Sequence, residues 1–214
     1  TREGVDMYDL APDCQVLQAE LAKSNYITAA VTANHLISVD KGFERGFSVF
    51  DSYPAELWKH GSSERFFRQT VKLLKDLEGK PVFAYLHIMD PHDPYSPLEP
   101  FLSMADPPDK NNVRPSLHAR ETGHLNYESN EKKAGRHPLT DLEKEYLHDN
   151  YRGEIRQIDT LIYLLFCEME KTGFLENSIV IITADHGEEF GEHGYYQHGK
   201  TLFDESVKVP LIIW

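Results

Sequence analysis

Ser178-Ile-Val-Ile-Ile-Thr-Ala-Asp185-His186-Gly187-Glu188-Glu189-Phe190-Gly191-Glu192-His193-Gly194-Tyr-Tyr-Gln197-His198-Gly199-Lys200 is the stretch on which the fold turns. Ile179 to Ile182 is an unbroken β-branched run, the pattern of a strand buried on both faces in a parallel sheet. It stops at Asp185-His186, and in open α/β sheets ligands bind beyond the carboxyl ends of the strands. Gly187, Gly191, Gly194 and Gly199 then rule out a regular helix. Three histidines and four carboxylates crowd the loop that follows. Carboxylate oxygen and neutral imidazole side by side suit a hard or borderline divalent cation, with Asp185 and His186 as the first candidates. Glu188, Glu189 and Glu192 read as solvated loop positions, and no His-Glu-x-x-His helix is present.

Working outward, Val82 to Met89 is a second apolar strand that ends in chemistry, at Asp90-Pro-His92-Asp93-Pro-Tyr95. Pro91 and Pro94 restrict the backbone on either side of His92. Tyr26 to Ala33 is a third strand, with Asn34-His35 at its carboxyl end. Helices are predicted over Leu10 to Lys23, over Ser62 to Leu77 (stripe Phe66, Phe67, Val71, Leu74, Leu77), and from about Leu139 to Thr172. The last opens on a capping box, Thr140 with Glu143, and carries Tyr151, Ile155, Ile158, Ile162 and Leu165 as its apolar stripe. Val209 to Ile213 is a final short buried strand. Residues 98 to 138 read as a long polar loop of the kind that is functional or mobile.

Composition narrows the function. The 214 residues suffice for one substantial core, and 40% apolar with 27% charged content is ordinary for a globular chain. A formal charge of −13 argues against nucleic acid as a partner. No apolar run approaches the ~20 residues of a membrane span. Cys14 and Cys167 form neither a disulfide framework nor a metal-spaced pair, and both read as buried thiols. Neither the compartment nor the oligomeric state is encoded in these features.

Thr183-Ala-Asp-His-Gly-Glu-Glu-Phe-Gly-Glu-His-Gly, with His198-Gly-Lys-Thr-Leu-Phe-Asp-Glu and Val207-Lys-Val-Pro-Leu-Ile-Ile, resembles the C-terminal metal motif of the sulfatase family, within the alkaline-phosphatase-like superfamily. Lys41-Gly-Phe-Glu-Arg-Gly-Phe, Asp90-Pro-His-Asp-Pro-Tyr and Tyr151-x-Gly-x-Ile-x-x-Ile-Asp159 resemble further family segments. The resemblance implies a three-layer αβα fold with a mostly parallel sheet, and residues 1–214 as one domain with a variable loop at about 98–138. It implies Asp185 and His186 as ligands of one divalent cation, calcium as the leading choice, with magnesium, manganese or zinc as alternatives. His92 would protonate the leaving oxygen, and His198 or Lys200 would face the transferred group. His35 matches the family only through His-Leu.

The family's upstream Asp pair and its Cys-x-Pro-x-Arg or Ser-x-Pro-x-Arg nucleophile motif are not in this sequence, and Cys14 lacks the Pro and Arg of a formylglycine precursor. The chain is therefore expected to be an N-terminally incomplete part of a metal-dependent sulfuric ester hydrolase, inactive alone, whose parent acts on a small anionic ester. Two alternatives stand beside it. The first is a phosphodiester or phosphonate monoester hydrolase, or a phosphoglycerol transferase, since Asp-His is common in those branches. The second is a non-catalytic binding domain that keeps the fold.

Overall fold

Ile27–Thr32 (β1) is the middle strand of a three-stranded parallel sheet in the computed structural model, which describes residues 9–52, 62–113 and 139–214. Val49–Ser52 (β2) lies on one side, with Ala30 paired to Phe50, and Val82–His87 (β3) on the other, with Ala30 paired to Tyr85. A strand with neighbours on both edges needs small or β-branched side chains, and Thr28, Ala29, Ala30, Val31 and Thr32 are all buried. The Thr28 hydroxyl offsets its own burial by donating to the Gly46 carbonyl at 2.8 Å. Both predicted strands are present, each about two residues shorter than the apolar run. On β3, Tyr85 is exposed.

Leu17–Lys23 (α1) precedes β1, and Ser62–Asp76 (α2) follows β2. Phe66 of α2 packs with Val31 and Ala33, and Thr70, Leu74 and Leu77 extend the same buried face. The predicted helix over Leu10 to Lys23 is only half formed. Arg45 donates to the carbonyl oxygens of Pro12 at 2.6 Å and Ala11 at 2.9 Å, and the Leu10 amide donates to Lys41 at 2.9 Å. These bonds hold residues 10–12 against the 41–45 segment and occupy groups a helix would need. Leu17 is consequently exposed, and Cys14 is exposed too, contrary to its reading as a buried thiol; Cys167 is part-buried.

The chain divides into two compact units, Thr1–Met89 with Leu161–Glu176, and Asp90–Thr160 with Asn177–Trp214. In the second, Phe101–Ala105 (α3) lies in the described part of the 98–138 loop, whose residues 114–138 fall outside the description. Asp141–Lys171 (α4) opens with the predicted capping box: the Thr140 amide donates to Glu143 Oε2 at 2.9 Å, and the Glu143 amide to the Thr140 hydroxyl at 3.3 Å. Leu147 packs with Tyr95, Val113 and Leu139 in the core of this unit.

The predicted α4 stripe is corrected at Ile155, which is 43% exposed, while Asn150, Glu154 and Gln157 are buried. Glu154 and Gln157 face inward because they satisfy backbone amides of the proline-rich loop, and Asn150 donates to the Tyr146 carbonyl one turn back in the helix at 2.6 Å. Glu154 Oε1 accepts from the Ser96 amide at 2.6 Å, and Gln157 Oε1 from the Leu98 amide at 2.8 Å. Gly153 admits Pro97 between them: a Cβ there would lie 2.7 Å from the proline Cγ.

Ile181–Thr183 (β4) pairs antiparallel with Leu211–Ile213 (β7), Ile182 opposite Ile212. The expected strand buried on both faces of a parallel sheet is therefore not what these residues build in this chain. Among the described residues β4 has no partner but β7, so Ile179, Ile181, Leu211 and Ile213 are exposed. An apolar run specifies a preference for burial, and burial also needs layers on both faces. Between these strands lie a two-residue hairpin, Glu189–Phe190 (β5) with Tyr196–Gln197 (β6), and the short helix Asp204–Val207 (α5). No helix among the described residues is long and apolar enough to cross a membrane.

Candidate active site

β4 leads directly to Asp185 and His186, and two backbone contacts fix the turn that follows. The Gly187 amide donates to the Ser206 carbonyl at 2.8 Å, and a Cβ on Gly187 would lie 2.0 Å from the Glu205 carbonyl oxygen. Only glycine lets the chain pass α5 this closely. The hairpin register sets Glu189 opposite Gln197 and Phe190 opposite Tyr196. One step further along both strands, Glu188 and His198 meet, with Glu188 Oε1 3.0 Å from His198 Nδ1. Glu189 is 1% exposed; its Oε1 accepts from the Thr201 hydroxyl and from Ser206 Oγ at 3.1 Å, which ties the segment after His198 to β5.

Three of the predicted histidines converge. The rings of His186 and His198 stack with centroids 3.7 Å apart, and His92 lies edge-on to both, at 5.0 Å from His198 and 6.3 Å from His186. Each Nδ1 is engaged by a protein oxygen: that of His92 by the Asp93 carbonyl at 2.7 Å, that of His186 by the Gly187 carbonyl at 2.8 Å, and that of His198 by Glu188. Carbonyl and carboxylate oxygens only accept, so each neutral ring carries its proton on Nδ1 and its lone pair on Nε2. That is the tautomer a metal ligand or a proton carrier needs at the far side of the ring.

The proline-rich loop supplies more than His92. Asp93 is buried; its Oδ1 lies 3.2 Å from His92 Nδ1, and its Oδ2 accepts from Gln197 Nε2 at 3.1 Å. Tyr95, buried against Tyr151 and Phe190, donates its hydroxyl to Glu188 Oε2 at 2.7 Å. The hydrogen bond from Glu188 lifts the His198 imidazole above its ordinary pKa against the opposing effect of its burial, and the Asp93 and Asp185 charges add to the rise. Burial, with the charges of Glu188 and Glu154, raises the Tyr151 phenol, which stays neutral.

The remaining candidates are placed differently. Lys200 is exposed and donates to the Tyr196 carbonyl at 3.2 Å. His35 lies in the other compact unit, in the turn after β1, where Asn34 Oδ1 accepts from the Leu36 amide at 2.9 Å. His193 stacks on Phe203 and meets Glu205 at 3.2 Å.

A cation fits the donors present, though only as part of a shell. His186 Nε2 and Asp185 Oδ1 are 3.8 Å apart, and Asp185 is exposed to receive an ion. Among the described residues no group of three or more His, Cys, Asp or Glu is placed to hold a metal, so these two would need further ligands.

Glu188, Tyr95, Asp93 and Gln197 escaped the sequence reading as site residues. Tyr95 and Asp93 carried a usable signal, through their place in the His92 segment. A glutamate in a glycine-rich loop looks the same whether water or an aromatic core surrounds it.

The chain is similar to several known proteins. The multifunctional alkaline phosphatase superfamily protein PehA of Trinickia caryophylli is 27% identical over 175 residues, 75% of this chain and 34% of that protein. Among solved structures, the phosphonate monoester hydrolase SpPMH from Silicibacter pomeroyi superposes with a TM-score of 0.72 at 16% identity, over 96% of this chain and 53% of that one. BT4656, solved in complex with its substrate D-glucosamine-2-N,6-O-disulfate, gives 0.71 at 17% identity, over 96% and 56%. The chain thus spans about a third of the length of PehA and about half of either solved chain. At such low identity the structural likeness shows the fold, which is α/β of the alkaline-phosphatase-like type. The sulfatase family model matches residues 19–214, nearly the whole sequence with its histidine cluster included, and the chain belongs to that family.

Proposed function

We propose that this chain carries part of the active site of a metal-dependent hydrolase of small sulfuric esters, its two compact units forming one domain with residues 98–138 as a variable loop. The observation that carries the reading is the convergence of His92, His186 and His198, each with Nδ1 engaged by a protein oxygen. Asp185 and His186 would hold a divalent cation, calcium as the leading choice, which when bound supplies a Lewis acid for the ester oxygens and for the attacking group.

The other residues act on charge and protons. His198, which the Glu188 bond makes easier to protonate, would as an imidazolium stabilise charge on the transferred group and draw an anion to a chain whose overall charge repels it. His92, its Nδ1–H held by the Asp93 carbonyl, would act as an imidazolium that gives its Nε2 proton to the departing alcohol and is left as the neutral Nδ1–H ring. Lys200, bonded to a backbone carbonyl, leaves that position to His198.

A second reading, hydrolysis of phosphonate or phosphate esters, draws support from the likeness to PehA and to the phosphonate monoester hydrolase. Metal analysis with aryl sulfate, aryl phosphate and phenylphosphonate assays on the full-length protein, beside Asp185→Ala, tests both. Stoichiometric cation and sulfate cleavage, both lost in the variant, is the expected result. Cleavage of phosphorus esters alone moves the protein to the second reading, and no metal with no hydrolysis overturns both.

A further inference from the structure

We propose that Glu188 is a positioning residue that accepts from His198 Nδ1–H, which fixes the neutral ring as that tautomer and aims the Nε2–H of the imidazolium at the transferred anion. The inference rests on the reading of His198 as the residue that faces that anion. Each Glu188 oxygen has one donor: Oε1 meets His198 Nδ1 at 3.0 Å, and Oε2 takes the Tyr95 hydroxyl at 2.7 Å. The Glu188 side chain is 5% exposed, so water does not compete for these oxygens. A carboxylate carried into such a place is costly unless both oxygens are bonded, and here they are.

The support behind Glu188 is rigid. Tyr95 is 5% exposed and wedged between Tyr151 and Phe190, at centroid distances of 5.5 Å and 5.6 Å. The β5–β6 register pairs Glu189 with Gln197, so Glu188 and His198 leave the hairpin from the same end and their side chains meet there. The line Tyr95–Glu188–His198 therefore runs from packed core to reacting group. It has the logic of an acceptor that orients a catalytic imidazole by its far nitrogen.

The test uses the full-length protein with ¹⁵N-labelled histidine, the His198 signals assigned by their loss in His198→Asn. At alkaline pH the wild type should show His198 as the Nδ1–H tautomer, and Glu188→Gln should show a mixture. With aryl sulfate or phenylphosphonate, Glu188→Gln should lower kcat about 10- to 100-fold with KM little changed. Tyr95→Phe, which keeps the carboxylate and removes one donor, should shift both readouts in the same direction by less, and it serves if Glu188→Gln fails to fold. An unchanged tautomer in folded Glu188→Gln overturns the proposal, as does a changed tautomer with unchanged kcat. A wild type that cleaves neither ester strikes the hydrolase reading and with it the catalytic role of Glu188, whereas failure of the tautomer arm alone strikes only Glu188.

Discussion

The carbonyl oxygen of Glu205 occupies the place where a side chain on Gly187 would begin, 2.0 Å from an ideal Cβ. The obstacle is backbone, so no rotamer change relieves it. Gly187→Ala must push α5 away from the Asp185-His186 turn or break the bond from the Gly187 amide to Ser206. The expected cost is about 3 kcal/mol or more, the upper end for overpacking. Urea denaturation of the purified variant measures it, and a loss under about 1 kcal/mol would show that the turn has slack.

Glu154 tests whether α4 governs the loop that carries His92. Glu154→Ala leaves the Ser96 amide without this acceptor and should destabilise by about 1–3 kcal/mol. It should also lower kcat for the ester, because Tyr95 and the His92 turn are anchored through that loop. Stability and steady-state kinetics on one preparation separate the effects, and full activity in the variant would mean that Gln157 suffices as anchor.

His198 and Lys200 are expected to differ sharply. His198→Ala should lower kcat about 100-fold or more, the scale of losing a charge-stabilising group at a reacting centre. Lys200→Ala removes an exposed amine bonded to Tyr196 O and should cost less than about fivefold, as for surface charge interactions. The reverse order would return the cationic role to Lys200.

The Glu188–His198 pair also sets a pH dependence of stability in cation-free protein. The folded His198 pKa lies above the ordinary imidazole value of 6.5, so its contribution is complete below that value and fades as pH rises through the folded pKa. Denaturation in the presence of a chelator should show the wild type's advantage over Glu188→Gln shrinking as pH rises past 6.5. An advantage that grows over that range would contradict the direction of the shift.

Much of this was legible in the sequence, for reasons particular to each element. Thr140 and Glu143 announced α4 because a capping box is a local bargain between two residues three apart. β1 was visible because a strand between two neighbours is written in small and β-branched residues, and β3 because it lies in an unbroken, mainly apolar run. His92, Asp185 and His186 stood out because titratable groups at strand ends are seldom idle. The opening helix was misread because its fate depends on Arg45, some thirty residues distant. The α4 face was misread because Glu154 and Gln157 point inward toward amides that no period reveals. Glu188 was taken for a solvated residue because its burial depends on Tyr95, far away in the chain.

The exposed β4–β7 ladder bears on how the protein behaves in a tube. Ile181 of β4 and Leu211, Ile212 and Ile213 of β7 carry apolar side chains toward solvent, and among the described residues neither strand has a second partner on its outer edge. Such an edge is a template for strand addition, and such a face is adhesive. The 214-residue chain prepared by itself should therefore self-associate with rising concentration, and light scattering should detect this before any loss of secondary structure. A charged residue in place of Ile213 should delay it, which makes that position the natural handle for keeping the chain in solution.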